Sequence, residues 1–148
     1  MKIVLLDLNA TYVENTSVHI LPHAYNIQAE QYRTWLTRLL SGYYVIMLTA
    51  RPTRHECETL AHISKLEQWQ PNEAYFNDSG LRASEFKDMM LRTLIYPKHG
   101  KHVIGGNRYI ALESNAATRT MYATHGIPAY TQEQIRSDSS ILEPMTLF

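Results

Sequence analysis

The sequence predicts an α/β domain, in which a Rossmann-like parallel sheet of about five strands lies between two layers of helices. Short, almost continuous apolar segments alternate along the chain with longer segments of helical periodicity, as is typical of parallel strands that are buried on both faces. With 148 residues, of which 45% are hydrophobic, the chain can form one core but is short for two. We therefore expect one three-layer domain at residues 1–131, followed by a C-terminal tail at residues 132–148.

Each predicted strand is a short run of apolar residues that is rich in β-branched or aromatic side chains. The first run, KIVLL, ends directly before Asp7, and the second, YYVIML, ends directly before Thr49. The fourth run, RYIAL, ends directly before Glu113. In chain order the five predicted strands are residues 2–6, 43–48, 74–76, 108–112 and 127–130.

Four helices are predicted from the 3.6-residue periodicity and from the signals at their ends. Gly42 is expected to stop the first helix, and Gly126 the fourth. Thr53 and Glu56 have the spacing of a capping box, which predicts that the second helix opens there. The predicted helices are residues 27–40, 53–68, 84–96 and 115–126, and residues 9–27 are expected to form a loop.

The composition excludes some classes of protein. Fourteen basic and fourteen acidic residues give a formal charge of zero, so no overall field attracts nucleic acid or anionic lipid, although a local basic patch is compatible with this balance. The single Cys57 excludes a disulfide within the chain and fits a reducing compartment. No segment approaches the roughly 18 apolar residues of a membrane span. We expect a cytoplasmic protein that does not bind membranes.

Four polar side chains are expected at the carboxyl edge of the sheet, where open parallel sheets bind ligands. Asp7, Thr49 and Glu113 each follow a predicted strand, and Lys87 lies near the start of the helix that leads to the fourth strand. Such a set suits phosphoryl transfer, in which an Asp attacks phosphorus, a cation neutralises charge and Mg²⁺ bridges. Each residue taken singly also has a structural interpretation, as a turn, strand or helix-terminal residue. Their order along the chain favours the chemical interpretation.

Two segments carry motifs of a known kind. VLLDLNAT places Asp7, Asn9 and Thr11 after an apolar strand, and YVIMLTARP places Thr49 at the end of another. The first resembles the D-x-D-x-T motif of the haloacid dehalogenase (HAD) superfamily of phosphatases. The second resembles that family's strand ending in Ser or Thr.

The remaining motifs extend this resemblance over about residues 2–131. Ala50 and Arg51 are similar to the turn of nucleotide-directed members, nearest in pattern to the 3′-phosphatase half of polynucleotide kinases. Lys87, in SEFKDMM, is matched to the lysine of the third motif. YIALES, through Glu113, resembles the fourth motif, in which a strand ends in two acids, and HGIPAY resembles the family's closing strand.

The resemblance implies a HAD-like phosphatase, which hydrolyses phosphomonoesters through an aspartyl-phosphate and requires Mg²⁺. The loops are too short for a substantial cap domain, so an open crevice suits a phosphorylated nucleotide or a nucleic-acid end as the substrate. The implied catalytic residues are Asp7, Asn9, Thr49 and Lys87; the implied substrate-binding residues are Thr11, Ala50 and Arg51; and the implied Mg²⁺ ligands are Asp7, Asn9 and Glu113.

Two positions depart from the family pattern. Asn9 stands where the family has its second Asp, and Ser114 stands where it has the second acid of the closing pair. An amide cannot exchange a proton, and the loss of general acid and base catalysis costs on the order of 100 to 10,000 fold in rate. Ser114 is a poorer Mg²⁺ ligand than a carboxylate, so Asn115 or Asp78 is a further candidate ligand.

Because of these departures, two other functions stay open. One is a catalytically impaired HAD-fold module that serves in binding or assembly. The other is a different reaction on the same scaffold, as in dehalogenases, where the residue two positions after the nucleophile need not be acidic.

Overall fold

The computed structural model describes residues 2–15, 26–101 and 108–142 and confirms the predicted α/β class. Five parallel strands form one sheet in the order β3-β2-β1-β4-β5. The strands are β1 (Ile3–Leu6), β2 (Tyr44–Pro52), β3 (Glu73–Asn77), β4 (Tyr109–Leu112) and β5 (Ala129–Tyr130). All five coincide with predicted strands, and β2 runs four residues further, through a break in its register with β3 between Leu48 and Pro52.

Six α-helices connect and cover the strands in the part of the chain that the structure describes. They are α1 (Thr34–Leu40), α2 (Glu56–Glu67), α3 (Ala83–Met90), α4 (Tyr96–His99), α5 (Ala116–Thr124) and α6 (Gln132–Ser137). A π-helical turn, Leu91–Ile95, joins α3 to α4, so that residues 83–99 form one helical run. Short 3₁₀ turns lie at Ile27–Ala29, Thr53–His55 and Ser139–Ile141.

The helices form two layers because alternate residues of each strand point to opposite faces of the sheet. On one face, Val4 and Leu6 of β1 pack with buried side chains of α1, α2 and α6. On the other, Ile3 and Leu5 pack with buried side chains of α3, the π-helical turn and α5. The described elements all belong to these three layers apart from a single antiparallel bridge between Val13 and Tyr32, so no cap domain occurs in the described ranges.

The predicted first helix is too long at its start. The α-helix begins at Thr34 rather than at residue 27, because residues 30–33 are extended and bonded to the segment that follows β1. The amide of Glu14 donates to the carbonyl of Gln31, and the amide of Arg33 donates to the carbonyl of Tyr12. The apolar spacing that extended the predicted helix to residue 27 arises from Ile27 and Tyr32, which are buried although neither lies in an α-helix.

The predicted capping box at Thr53 and Glu56 is wrong. The chain makes one 3₁₀ turn before α2, so Thr53 lies inside a helical turn and its side chain caps nothing. A capping box forms instead at the start of α6, where Thr131 and Gln134 exchange side-chain and backbone hydrogen bonds. The fourth predicted helix is confirmed, and it is followed by Gly126 in the left-handed region at φ 74°, a conformation that glycine adopts without steric cost.

Part of the predicted C-terminal tail is folded onto the domain. Helix α6 packs Ile135 into the core, and Leu142 is also fully buried. Residues 143–148 lie outside the described residues, as do residues 16–25 of the predicted loop. No described helix is both long and apolar enough to cross a bilayer.

Candidate active site

A crevice opens where the sheet reverses its strand order. Chain connections run outward from β1 to β2 and β3, and then return to β4 on the other side of β1, which is the position where open parallel sheets bind ligands. The backbone amide of Asp7 still donates to Leu112 of β4, and that of Glu113 donates to Tyr130 of β5. Sheet hydrogen bonds therefore fix the positions from which both carboxylates enter the crevice.

The crevice contains a cavity of about 220 Å³ and gathers most of the predicted site residues. Its lining comes from the segments that follow β1 and β4, from β2, from α3 and from the N-cap of α5. The lining residues are Asp7, Asn9, Ala10, Thr49, Ala50, Ala83, Lys87, Glu113, Ser114 and Asn115. Of the predicted residues, Thr11 and Arg51 do not line this cavity.

The Lys87 side chain joins the two carboxylates. Its ammonium donates to Oδ1 of Asp7 at 2.9 Å and to Oε1 of Glu113 at 2.6 Å, and the Lys87 side chain is only 1% exposed. Residue 87 faces inward because Phe86 and Lys87 together form the buried side of α3. A buried ammonium without partners is costly, so this pairing is required for Lys87 to remain charged.

The pKa values of this group follow from its burial and its charges. Burial lowers the pKa of Lys87, but the negative charges of Asp7 and Glu113 outweigh it and hold that pKa above its ordinary value. Burial, together with the charge of Asp7, raises the pKa of Glu113, although the Lys87 ammonium opposes this shift. The three side chains carry two negative charges and one positive charge when ionised.

A tight turn after β1 sets the direction of Asp7 and Asn9. Residues Leu8–Tyr12 form one widened turn, closed by the amide of Val13 donating to the carbonyl of Leu8 at 2.9 Å. Ala10 has a φ of 61°, in the left-handed region that favours glycine. The turn brings the hydroxyl of Thr11 back to Oδ2 of Asp7 at 2.9 Å. Thr11 is thus placed to orient Asp7, and its predicted contact with substrate stays a prediction.

Oxygen atoms from three residues converge on one part of the crevice. The hydroxyl oxygen of Ser114 lies 3.2 Å from Oδ2 of Asp7 and 3.2 Å from the backbone oxygen of Asn9. Carboxylate and carbonyl oxygens that converge in this way fit the preference of Mg²⁺, with Glu113 lining the same cavity. No group of three or more His, Cys, Asp or Glu side chains within residues 2–15, 26–101 and 108–142 is placed to hold a metal ion. The fit therefore rests on two carboxylates, a backbone carbonyl and a hydroxyl.

Arg51 is buried beside the crevice rather than within it. Its guanidinium is fully buried and pairs with the carboxylate of Glu30, with a donor to Oε1 at 3.0 Å. A second donor reaches Oδ1 of Asn9 at 2.7 Å. Glu30 is a partner that the sequence did not suggest, because a lone acid in the predicted first helix carries no recognisable signal. The predicted contact between Arg51 and a substrate phosphate stays a prediction.

The other candidates divide between the cavity and the surface. Thr49 and Ala50 line the cavity at the break in the register of β2, and the Thr49 hydroxyl accepts from the amide of Arg51 at 3.1 Å. Asn115 lines the cavity and caps α5 through Oδ1. Asp78 is exposed and does not line the cavity.

Comparisons with known proteins support the fold. No family model matches the chain, and no curated protein matches it. The chain is similar to a solved structure of the Pnkp1/Rnl/Hen1 RNA repair complex, with a TM-score of 0.64 and 16% identity. A second structure of the Pnkp1/Rnl/Hen1 complex gives a TM-score of 0.63 and 15% identity.

These matches cover 88% of this chain but only 42% and 45% of the chains in those complexes. The chain thus spans less than half the length of the proteins it resembles. At this level of identity the likeness shows a shared fold, a Rossmann-like three-layer domain, and carries no assignment of activity.

Proposed function

We propose that this chain is a Mg²⁺-dependent phosphatase of the haloacid dehalogenase type, which hydrolyses phosphoryl compounds through an aspartyl-phosphate at Asp7. One observation carries the proposal: the ammonium of Lys87 is held between the carboxylates of Asp7 and Glu113 at the base of an open cavity. A cation at this position balances part of the negative charge of the two carboxylates that it contacts. It also offsets the charge of an approaching phosphoryl group.

The other lining residues have roles that agree with this chemistry. Thr11 and Ser114 both donate to Oδ2 of Asp7 and so restrict its rotation. Thr49 and Ala50 stand on the neighbouring strand, where their hydroxyl and backbone groups would contact the transferred phosphoryl group. Mg²⁺, bound by Asp7, the Asn9 carbonyl and Glu113, would supply further positive charge to the phosphoryl oxygens.

A nucleotide or a nucleic-acid end is the proposed substrate class. The likeness to proteins of an RNA repair complex supports a substrate of this kind. The crevice is not covered by any cap among the described residues, so it accepts a phosphate that is attached to a large molecule.

A binding or assembly module is the second candidate, and one observation favours it. The Ser114 hydroxyl bonds to the Asp7 carboxylate and to the Asn9 carbonyl, the two groups proposed as Mg²⁺ ligands. A hydroxyl that satisfies these oxygens lowers the need for an ion and weakens the proposed metal site.

The test is hydrolysis of p-nitrophenyl phosphate and of a 3′-phosphorylated oligonucleotide, with and without Mg²⁺. We expect turnover of at least one of them by the native chain, dependence on Mg²⁺, and loss of turnover in Asp7→Asn. Asp78→Asn is the matched control, because it removes an exposed acid at the same edge of the sheet. Native turnover that survives in Asp7→Asn would contradict the proposal, and binding of the oligonucleotide without turnover would favour the binding module.

A further inference from the structure

The side-chain amide of Asn9 has a defined orientation. Nη2 of Arg51 lies 2.7 Å from Oδ1 of Asn9. A guanidinium can only donate hydrogen bonds, so the Asn9 atom that faces it must be the carbonyl oxygen. The NH₂ group then points away from Arg51. Asn9 lines the cavity, and its NH₂ group donates to no protein atom in the described part of the chain.

Arg51 cannot move easily, because a buried network holds it. Its guanidinium contacts both carboxylate oxygens of Glu30 and the hydroxyl of Thr59, and the side chains of Arg51 and Glu30 are both 0% exposed. Nε2 of His62 lies 3.0 Å from the backbone oxygen of Glu30, which ties the network to α2. Separating a buried ion pair leaves two uncompensated charges and is strongly unfavourable. The network therefore keeps the Asn9 amide in one orientation.

We infer that Arg51 is a positioning residue that fixes the NH₂ group of Asn9 as a hydrogen-bond donor in the cavity, and that the site therefore takes phosphoryl compounds whose leaving group departs without a proton. Phosphoanhydrides, acyl phosphates and aryl phosphates belong to this class. The inference rests on the proposed function. It favours the phosphoanhydride of a nucleotide over the alkyl phosphate at a nucleic-acid end.

The reaction balances without a general acid. A carboxylate oxygen of Asp7 attacks phosphorus, the bond from phosphorus to the leaving oxygen breaks, and the leaving group departs as an anion with the bonding electron pair. The Asn9 NH₂ donates a hydrogen bond to that anion and transfers no proton. Water then attacks the aspartyl-phosphate, the bond from phosphorus to the Asp7 oxygen breaks, and dihydrogen phosphate leaves the ionised Asp7. Both protons of the water stay on the phosphate product.

The first test compares substrates by the acidity of their leaving groups. Native chain and Asn9→Asp are assayed with Mg²⁺ on a series of aryl phosphates, on acetyl phosphate, on a nucleoside triphosphate and on the 3′-phosphorylated oligonucleotide. For the native chain kcat/KM should fall steeply as the pKa of the leaving group rises. Asn9→Asp should flatten this slope, with a gain on the order of 100 to 10,000 fold for the oligonucleotide and under about tenfold for p-nitrophenyl phosphate.

Three results would overturn the inference. The first is a shallow dependence of native kcat/KM on the pKa of the leaving group, and the second is a dependence that Asn9→Asp leaves unchanged. If turnover still depends on Asp7, either result would overturn only this inference and not the proposed phosphatase. The third is absence of turnover on every substrate, which would overturn both. The acetyl phosphate and triphosphate arms show which kind of leaving group is preferred.

The second test asks whether Arg51 acts through Asn9. In a double-mutant cycle, Arg51→Lys should lower kcat/KM for p-nitrophenyl phosphate about tenfold in the native background and have little effect in Asn9→Ala. Thr59→Val, which removes one contact of the guanidinium, gives a milder variant if Arg51→Lys does not fold. Equal effects in both backgrounds would show a general structural role and overturn the positioning role.

Discussion

The two ends of the sheet each hold a buried carboxylate among cationic and hydroxyl groups, and they use it differently. At the carboxyl ends of the strands is the crevice cluster, which we define as Asp7, Lys87 and Glu113. At the amino end of β3 is the Glu73 cluster, in which that carboxylate accepts from Tyr44, Tyr75, Lys98 and His99. The crevice cluster lines the cavity described above, whereas Glu73 does not.

The pKa values differ in direction for a physical reason. Burial alone would raise the pKa of Glu73, but its four hydrogen-bond donors outweigh burial and lower that pKa to about 2. Glu113 shares its one cation with Asp7, so burial and the neighbouring negative charge raise its pKa. A carboxylate that accepts hydrogen bonds from four donors stabilises the fold. A carboxylate that shares its one cation with a second carboxylate is available to a ligand.

The largest expected effect is at the proposed nucleophile. Asp7→Asn should lower phosphatase kcat/KM on the order of 10⁴-fold or more, since the amide cannot attack phosphorus. Glu73→Gln should leave kcat nearly unchanged at 20 °C, because it lies at the opposite end of the sheet. Steady-state kinetics on the same substrate measure both variants. Equal losses of kcat in Asp7→Asn and Glu73→Gln would contradict the view that only the crevice cluster acts on a ligand.

The next effect is on stability within the crevice cluster. Lys87→Met leaves the carboxylates of Asp7 and Glu113 facing each other without a cation and should lower the free energy of unfolding by about 3 to 5 kcal/mol. Urea denaturation followed by circular dichroism gives this value. Adding Glu113→Gln to Lys87→Met should recover part of the loss, because it removes one of the two repelling charges. A double variant as unstable as the single one would contradict this account.

A smaller effect, which depends on pH, is expected at the Glu73 cluster. Glu73→Gln should lower the free energy of unfolding at pH 7 by about 1 to 3 kcal/mol, since four hydrogen-bond donors, three of them partly buried, lose a charged acceptor. The folded pKa, about 2, lies below the ordinary value of 4.5. The stabilisation is therefore full above about pH 4.5 and is lost as the pH falls towards 2.

Urea titrations of the native chain and Glu73→Gln at pH 7 and pH 3 provide the measurement. The difference in unfolding free energy between the two should shrink at pH 3. A difference that grows on acidification would reverse the sign and refute the lowered pKa.

The smallest effect is expected at Ala10, whose φ of 61° is strained for a residue with a Cβ. Ala10→Gly should relieve this strain and raise the free energy of unfolding by about 1 kcal/mol or less, because the added flexibility of glycine in the unfolded chain offsets part of the gain. Differential scanning calorimetry can resolve this change. A clear decrease in stability would show that the turn is not strained.

The sheet was predictable from the sequence because its strands are almost continuously apolar. KIVLL and RYIAL are short apolar runs that contain β-branched or aromatic residues, which is typical of parallel strands covered on both faces. The strands also predicted that Asp7, Thr49 and Glu113 lie close together, because the carboxyl ends of parallel strands meet at one edge of the sheet. All three residues line the cavity at that edge. Lys87 was weaker as a prediction, and the structure places its ammonium between the two carboxylates.

Features that depend on pairing between distant segments were not predictable. The start of α1 was misplaced because residues 30–33 bond to the turn after β1, which outweighs their helical pattern. The pair of Glu30 and Arg51 joins positions 21 residues apart, and no local signal marks it. The orientation of the Asn9 side chain depends on that pair. The motif therefore shows that residue 9 is an amide, but it does not show the direction in which the NH₂ group points.

Asp7 and Glu113 enter the crevice from backbone positions that are hydrogen-bonded into adjacent strands. The distance between these two backbone positions is therefore set by the sheet and not by a loop. Neighbouring side chains can therefore be exchanged one at a time, by selection or by design, while the spacing between the backbone positions of the two acids stays the same.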